Sequence, residues 1–254
     1  MIQQLASLAY PPMCAWSGSP VASGTFADDI REQLLLSAQE NLCLRCGGNI
    51  GPHLVPSIKG CDQCRDDRFW FEGVIRLGRY DGLLAEGIRR MKRLSGYGLA
   101  RALAELLWEI RHEQLRSIPV AAVVPVPHHR WTEWRRGYNP SEVLAEVLAE
   151  ELSIPLWPRA LRRTRWTPPQ HHLRGMSRRS NVKDAFQANR MRSIAGSHIL
   201  LVDDVFTSGS TASESAKALR QAGAAKVHVV VLARGGQRWV EEKIVPKINA
   251  REDS

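Results

Sequence analysis

A chain of 254 residues with 44 % apolar content has side chains enough for one substantial core and a small attachment, which excludes a disordered or low-complexity protein. Its 35 basic and 26 acidic residues leave a formal charge of +9, which points to an anionic partner and says nothing of the fold. No window approaches the roughly 18 uncharged apolar residues of a membrane span. The opening MIQQLASLAYPPMCAW also lacks the basic start and long apolar core of a secretory signal, so a cytoplasmic location is expected.

Residues 1–40 are weakly patterned; DDIREQLLLSAQE reads as a short helix with no assignable role. Cys43, Cys46, Cys61 and Cys64 then form C-x2-C-x14-C-x2-C, the spacing of a zinc knuckle. Each turn presents two thiolates and two turns complete a tetrahedron, so a structural Zn2+ with no open position is expected over residues 41–68. In a reducing compartment disulfides are the poorer alternative, and so small a module needs the metal to fold. FWFEGVIRLGRYDG reads as extended and ends in an Asp-Gly turn; apolar residues then recur at helical spacing over 83–94 and 99–115. PVAAVVPVP (119–127) reads as a buried strand and PSEVLAEVLAEEL (140–152) as an amphipathic helix with Pro140 in its first turn. Between Arg159 and Arg192 ten Arg or Lys face the single acid Asp184, a net +9 equal to the excess of the whole chain. The stretch holds Trp166, Pro168 and Pro169 and therefore reads as a long basic loop. The strand HILLVDD, a helix over 211–222 and the strand KVHVVVLAR follow; the tail 236–254 is polar. Strands alternating with helices at this spacing predict an α/β fold with a mainly parallel sheet and a ligand at the carboxyl ends of its strands.

Asp203 and Asp204 sit at such an end and lead into TSGST. A phosphate suits the helix that follows, where unpaired N–H groups and the positive dipole end are exposed, Gly209 lets the backbone wrap, and Thr207, Ser208, Ser210 and Thr211 add hydroxyls. The acids would repel a phosphate but accept hydrogen bonds from a sugar diol beside it. A diol and a phosphate at that separation describe a ribose 5-phosphate. A plain capped helix behind solvated acids, or paired aspartates holding Mg2+ alone, are the alternatives, and no G-x4-G-K-[ST] nucleotide loop is present.

ILLVDDVFTSGST resembles the phosphoribosyl pyrophosphate (PRPP) signature of type I phosphoribosyltransferases. The resemblance implies that fold for residues 69–235, with Asp203 and Asp204 on the ribose hydroxyls as the catalytic acids. Val205, Thr207, Ser208, Gly209, Ser210 and Thr211 would hold the 5-phosphate, and Mg2+ would accompany PRPP. RYDGLLAEGIRRMK, VVPVPHHRWTEWRRGYNPSEVLAEVLAEEL and RRTRWTPPQHHLRGMSRRSNVKDAF further resemble the ComF family, cytoplasmic proteins associated with DNA uptake in natural transformation, from about Cys43 to Arg234. By that likeness Arg130, Arg135 and Arg136 in the loop after the first parallel strand are candidates for the pyrophosphate, as are Arg174, Arg178 and Arg179 in the mobile loop that follows. Trp131, Trp134 and Trp166 lie among these arginines, an arrangement that also suits single-stranded DNA; other DNA-uptake proteins are possible partners. The histidines 128, 129, 171 and 172 are read as surface residues. ComF-like chains often carry an earlier cysteine pair; here Ser17 stands where the partner of Cys14 would be, so Cys14 is expected to be a bystander. The leading expectation is a PRPP-binding protein acting in DNA uptake or on single-stranded DNA. An active phosphoribosyltransferase acting on a base or amine is the alternative. No base-reading pattern marks residues 70–95, and Ile2 excludes the amidotransferase branch, which needs a cysteine after the initiator Met.

Overall fold

The computed structural model describes residues 12–38, 41–51, 55–57, 59–128, 137–165, 182–189 and 194–236. In chain order the elements are α1 (Asp28–Leu36), β1 (Val74–Arg79), α2 (Gly82–Met91), α3 (Tyr97–Arg116), β2 (Ala122–Pro125), α4 (Pro140–Leu152), β3 (Leu161–Arg163), β4 (Phe186–Ala188), β5 (His198–Phe206), α5 (Ser210–Gln221) and β6 (Lys226–Arg234). Four strands form a parallel sheet in the order β1-β6-β5-β2. The outer side of β2 is met by a parallel bridge from Val123 to Leu156. Strands β3 and β4 pair antiparallel in a separate two-stranded ribbon.

The central strands are near-continuous runs of Val, Leu and Ile because both faces of the sheet are covered. Leu200, Val202, Val230 and Leu232 pack with residues of α2, α3 and α4, and Ile199, Leu201, Val229 and Val231 with Ala212, Ala216 and Leu219 of α5. Asn139 caps α4 by accepting from the Ser141 N–H at 3.1 Å, Pro140 supplies the first turn, and Ser153 ends the helix in the left-handed region.

Residues 12–38 have a place in this core: Phe26, Leu34 and Ala38 join the apolar cluster of α2 and α3. The turn around Cys14 repeats the knuckle turn around Cys43. Cys14 N–H donates to Ser19 O at 2.8 Å and Gly18 N–H to Cys14 O at 2.8 Å; Cys43 N–H donates to Gly48 O at 2.7 Å and Gly47 N–H to Cys43 O at 2.8 Å. Gly18 and Gly47 have φ of 71° and 65°. With Ser17 in the second ligand position, the Cys14 sulfur instead accepts the Ala27 N–H at 3.3 Å. Trp16 of this turn lies against α2, with the Arg90 guanidinium 4.5 Å from its ring centroid and donating to its carbonyl at 2.6 Å. Among the described residues no helix is long and apolar enough to cross a membrane.

Candidate functional site

The acids do not end their strand, as the sequence reading has them; β5 runs on to Phe206. Phe206 keeps the strand going because its ring packs edge-on to Phe69 and Phe71, at centroid distances of 6.1 and 5.8 Å. Asp203 and Asp204 are therefore inside a sheet position, 8 % and 7 % exposed. Two buried carboxylates side by side need compensation. Asp203 Oδ1 accepts from Ser141 Oγ of α4 at 3.2 Å and from the Asp204 N–H at 2.9 Å. Asp204 Oδ2 lies 2.7 Å from the Lys92 ammonium, just past α2. Burial lowers the basicity of Arg163 of β3, and the charge of Asp203 restores part of it. The carboxyl of Asp203 is nonetheless pushed up to about 7, first by burial and then by the Asp204 charge, against the Asp204 N–H, Lys92 and the Ser141 hydroxyl. Perturbed acids of this kind gather at functional sites.

Lys92 and Ser141 were not picked out by the sequence reading. Lys92 stands in RRMKR, among Arg89, Arg90 and Arg93, and nothing in that run singles it out. Ser141 looks like a capping residue, a role that Asn139 takes.

Beyond Phe206, Thr207, Ser208 and Gly209 turn the chain into α5. Gly209 is the N-cap residue with φ of 75° and gives the helix no side-chain cap, so the end of α5 can offer N–H groups to an anion. Ser208 Oγ and Ser210 Oγ are 2.8 Å apart. A cavity of about 330 Å³ lies between this loop and Arg68, Phe69 and the half-exposed Trp70. The loop has no room for a side chain at Gly209, where a Cβ would fall 2.5 Å from Phe206 Cζ and 3.0 Å from Phe69 Cε1. Gly209→Ala is expected to cost roughly 2–4 kcal/mol, strain and collision together. At Gly196, whose φ is 73° with nothing within 4 Å, the same change is expected to cost the strain alone, about 1–2 kcal/mol. Urea unfolding checks both; equal shifts at the two sites would contradict the packing account.

The four predicted metal ligands come together. Cys43, Cys46, Cys61 and Cys64 place their sulfurs within 4.8 Å of one another. Three of the edges measure 3.7 Å (Cys43–Cys64), 3.8 Å (Cys46–Cys61) and 3.8 Å (Cys61–Cys64). A tetrahedron with Zn–S bonds of about 2.3 Å has edges of about 3.8 Å, so the donor set fits Zn2+ in kind and in size. Without a cation so tight a group cannot ionise fully. A hydrogen bond from Cys46 holds the Cys43 thiol well below its usual value, and that same bond, burial and neighbouring charge push Cys46 up.

Arg130, Arg135, Arg136, Arg174, Arg178 and Arg179 lie outside the described residues, as do Trp131, Trp134 and Trp166. The described chain on either side of them is placed near the acids. Val126, two residues before His128, donates its N–H to Val202 O at 2.8 Å, which sets the end of β2 beside the residue before Asp203. Arg163, the last residue of β3, is within reach of the Asp203 charge.

The phosphoribosyl transferase domain family matches residues 139–252. Competence protein F of Haemophilus influenzae is 31 % identical over 210 residues, covering 78 % of this chain and 92 % of its own. The DNA utilization protein YhgH of Escherichia coli K12 is 30 % identical over 231 residues, 89 % of this chain and 99 % of its own. Among solved structures, a glutamine phosphoribosylpyrophosphate amidotransferase from B. subtilis overlaps 58 % of this chain and 30 % of its own, at 22 % identity and a TM-score of 0.39.

Proposed function

The chain belongs to the competence protein F family, and from that premise we propose that the carboxyl edge of β5 binds PRPP. The observation that carries this reading is the pairing of two buried acids, Asp203 and Asp204, with a helix start at Ser210, four residues beyond Phe206, that has no side-chain cap. The carboxylates accept hydrogen bonds from the ribose hydroxyls, and the loop 207–211 takes the 5-phosphate on its N–H groups and hydroxyls. Mg2+ enters with the ligand as Mg2+-PRPP. Arg130, Arg135 and Arg136, with Arg174, Arg178 and Arg179, supply positive charge for the pyrophosphate. Lys92 balances Asp204 until a ligand arrives. If the site also turns PRPP over, the acids stabilise the positive charge that grows on the ribose as pyrophosphate leaves.

Calorimetric titration of Mg2+-PRPP into the native protein tests the reading. Saturable binding is expected, with none in Asp203→Ala/Asp204→Ala; a silent native protein would contradict it.

A role with DNA is the second part of the proposal. It is supported by the names of the relatives, competence protein F and DNA utilization protein YhgH, and by the net +9 between Arg159 and Arg192. Single-strand affinity is expected to fall steeply with salt, by about 0.7 log units per contacted phosphate for each decade of salt. Arg178→Ala/Arg179→Ala is expected to flatten that slope. An affinity indifferent to salt would remove the DNA part and leave the PRPP part standing.

A further inference from the structure

Two connections run from the four-cysteine module to the loop between β5 and α5. The first is Arg234, the last residue of β6 and only 8 % exposed. Its Nη1 donates to Phe206 O at 3.2 Å and also to Thr207 O and Gly235 O. Its guanidinium stands 4.8 Å from the Phe206 ring centroid. It also lies near enough to Cys46 and Cys61 for their charge to restore part of the basicity that burial removes. The second is Phe69, stacked on Phe71 at 4.7 Å and lying under the Arg45 guanidinium at 5.4 Å. Arg45 itself donates to Cys64 O at 2.7 Å.

The module is fitted closely to the sheet. Leu44 O accepts the Val74 N–H at 3.2 Å, and a Cβ on Gly73 would come within 2.6 Å of that oxygen. Arg76, fully buried in β1, donates from Nε to Gly47 O at 2.6 Å. Four thiolates around a divalent ion carry a net charge of −2, and the buried guanidiniums of Arg76 and Arg234 beside them restore neutrality. Buried charges are tolerated where they are paired in this way.

The hold on the carbonyls sets the loop's other side. In a trans peptide the C=O and N–H point in opposite directions, and the described chain has no cis peptide bond. Drawing Phe206 O and Thr207 O toward Arg234 therefore turns the N–H groups of Thr207 and Ser208 away from it, toward the front of the loop.

We infer that metal occupancy at Cys43, Cys46, Cys61 and Cys64 and anion binding at the loop 207–211 are coupled through Arg234. The metal–thiolate cluster fixes the guanidinium, and the guanidinium fixes the peptide planes that face the anion. The inference rests on the reading of this loop as the 5-phosphate site. Coupling of this kind is reciprocal, so the anion must tighten the metal as much as the metal tightens the anion.

The test uses the full-length protein loaded with Zn2+. Transfer of Zn2+ to a chromophoric chelator is timed with and without saturating Mg2+-PRPP. PRPP is expected to slow the transfer roughly 5- to 150-fold, the usual span of coupling between two sites. In Arg234→Lys, checked for one zinc per chain, the slowing is expected to disappear. Equal transfer rates in native protein shown by calorimetry to hold PRPP would overturn the coupling. A second measurement needs no ligand: amide hydrogen exchange at 207–210 in zinc-loaded Arg234→Lys. Exchange there is expected to be about tenfold faster than in the native protein, with α4 unchanged, the sign of a local opening. Unchanged exchange at 207–210 would overturn the coupling. Failure of PRPP to bind the native protein would sink the proposed function and the coupling with it, whereas PRPP that binds and leaves the transfer rate unchanged would overturn the coupling alone.

Discussion

Asp203→Asn is expected to weaken Mg2+-PRPP binding about 10- to 150-fold, the cost of one or two lost hydrogen bonds to a charged acceptor, and at the same time to stabilise the ligand-free protein above neutral pH. The second effect follows from the raised carboxyl of Asp203, which burial and the Asp204 charge hold at about 7. The unfolded chain ionises this group near its ordinary value of about 4. Between those two pH values the folded state binds more protons than the unfolded state, so stability falls as pH rises, by up to about 1.4 kcal/mol per pH unit. Asparagine has no charge to bury. Its advantage is therefore absent below about pH 4, grows through the interval and is full above about pH 7. Asp204, Lys92 and Arg163 surround the group and are unchanged by the substitution. Urea unfolding at pH 4 and pH 8 measures the difference; a variant less stable than the native protein at pH 8 would contradict it. Stability given up by a buried acid pair is what a binding site, rather than a packing position, explains.

Cys46→Ala is expected to remove the bound metal and several kcal/mol of stability, because the free energy of metal binding is folding free energy in such a module; zinc-finger peptides gain about 10–16 kcal/mol from it. Cys46 is fully buried, and its neighbours Gly47 and Gly48 hold Arg76 and the Cys43 N–H. Cys14→Ala serves as the comparison. Cys14 is as buried, at 2 %, and sits in a turn of the same shape, but its sulfur takes only hydrogen bonds. It is expected to keep the metal and to cost roughly 1–2 kcal/mol. Metal content per chain and thermal unfolding read both variants. A Cys46→Ala protein with native metal content would show that the four sulfurs are not the ligands.

What the sequence reveals depends on whether a residue's neighbours in the chain are also its neighbours in space. The helix over 140–152 and the strand over 226–234 were legible to the residue, since Pro140, the spacing of Val143, Leu144, Val147 and Leu148, and the run VHVVVLA are local signals. The four clustered cysteines were legible for the same reason. The end of β5 was not: two adjacent acids look like the end of a strand, and the aromatic packing that extends it comes from Phe69 and Phe71, more than a hundred residues earlier. Lys92 was hidden among three other basic residues and is singled out only by its contact with Asp204. Arg76 stands as a charge inside an apolar strand and Arg234 as one at the end of another, and a buried charge must have a partner. Their partners lie in the cysteine module and the β5–α5 loop, which no local pattern connects. The knuckle-like turn at Cys14 left one signal, a Cys-x2-x-Gly spacing shared with Cys43 and Gly47.

The most direct measurement is a crystal structure of the full chain with Mg2+-PRPP. The account predicts the ribose hydroxyls on the carboxylates of Asp203 and Asp204, with the 5-phosphate in the loop 207–211 at the start of α5. PRPP bound elsewhere, or a phosphate in that loop with no hydroxyl on either acid, would contradict it.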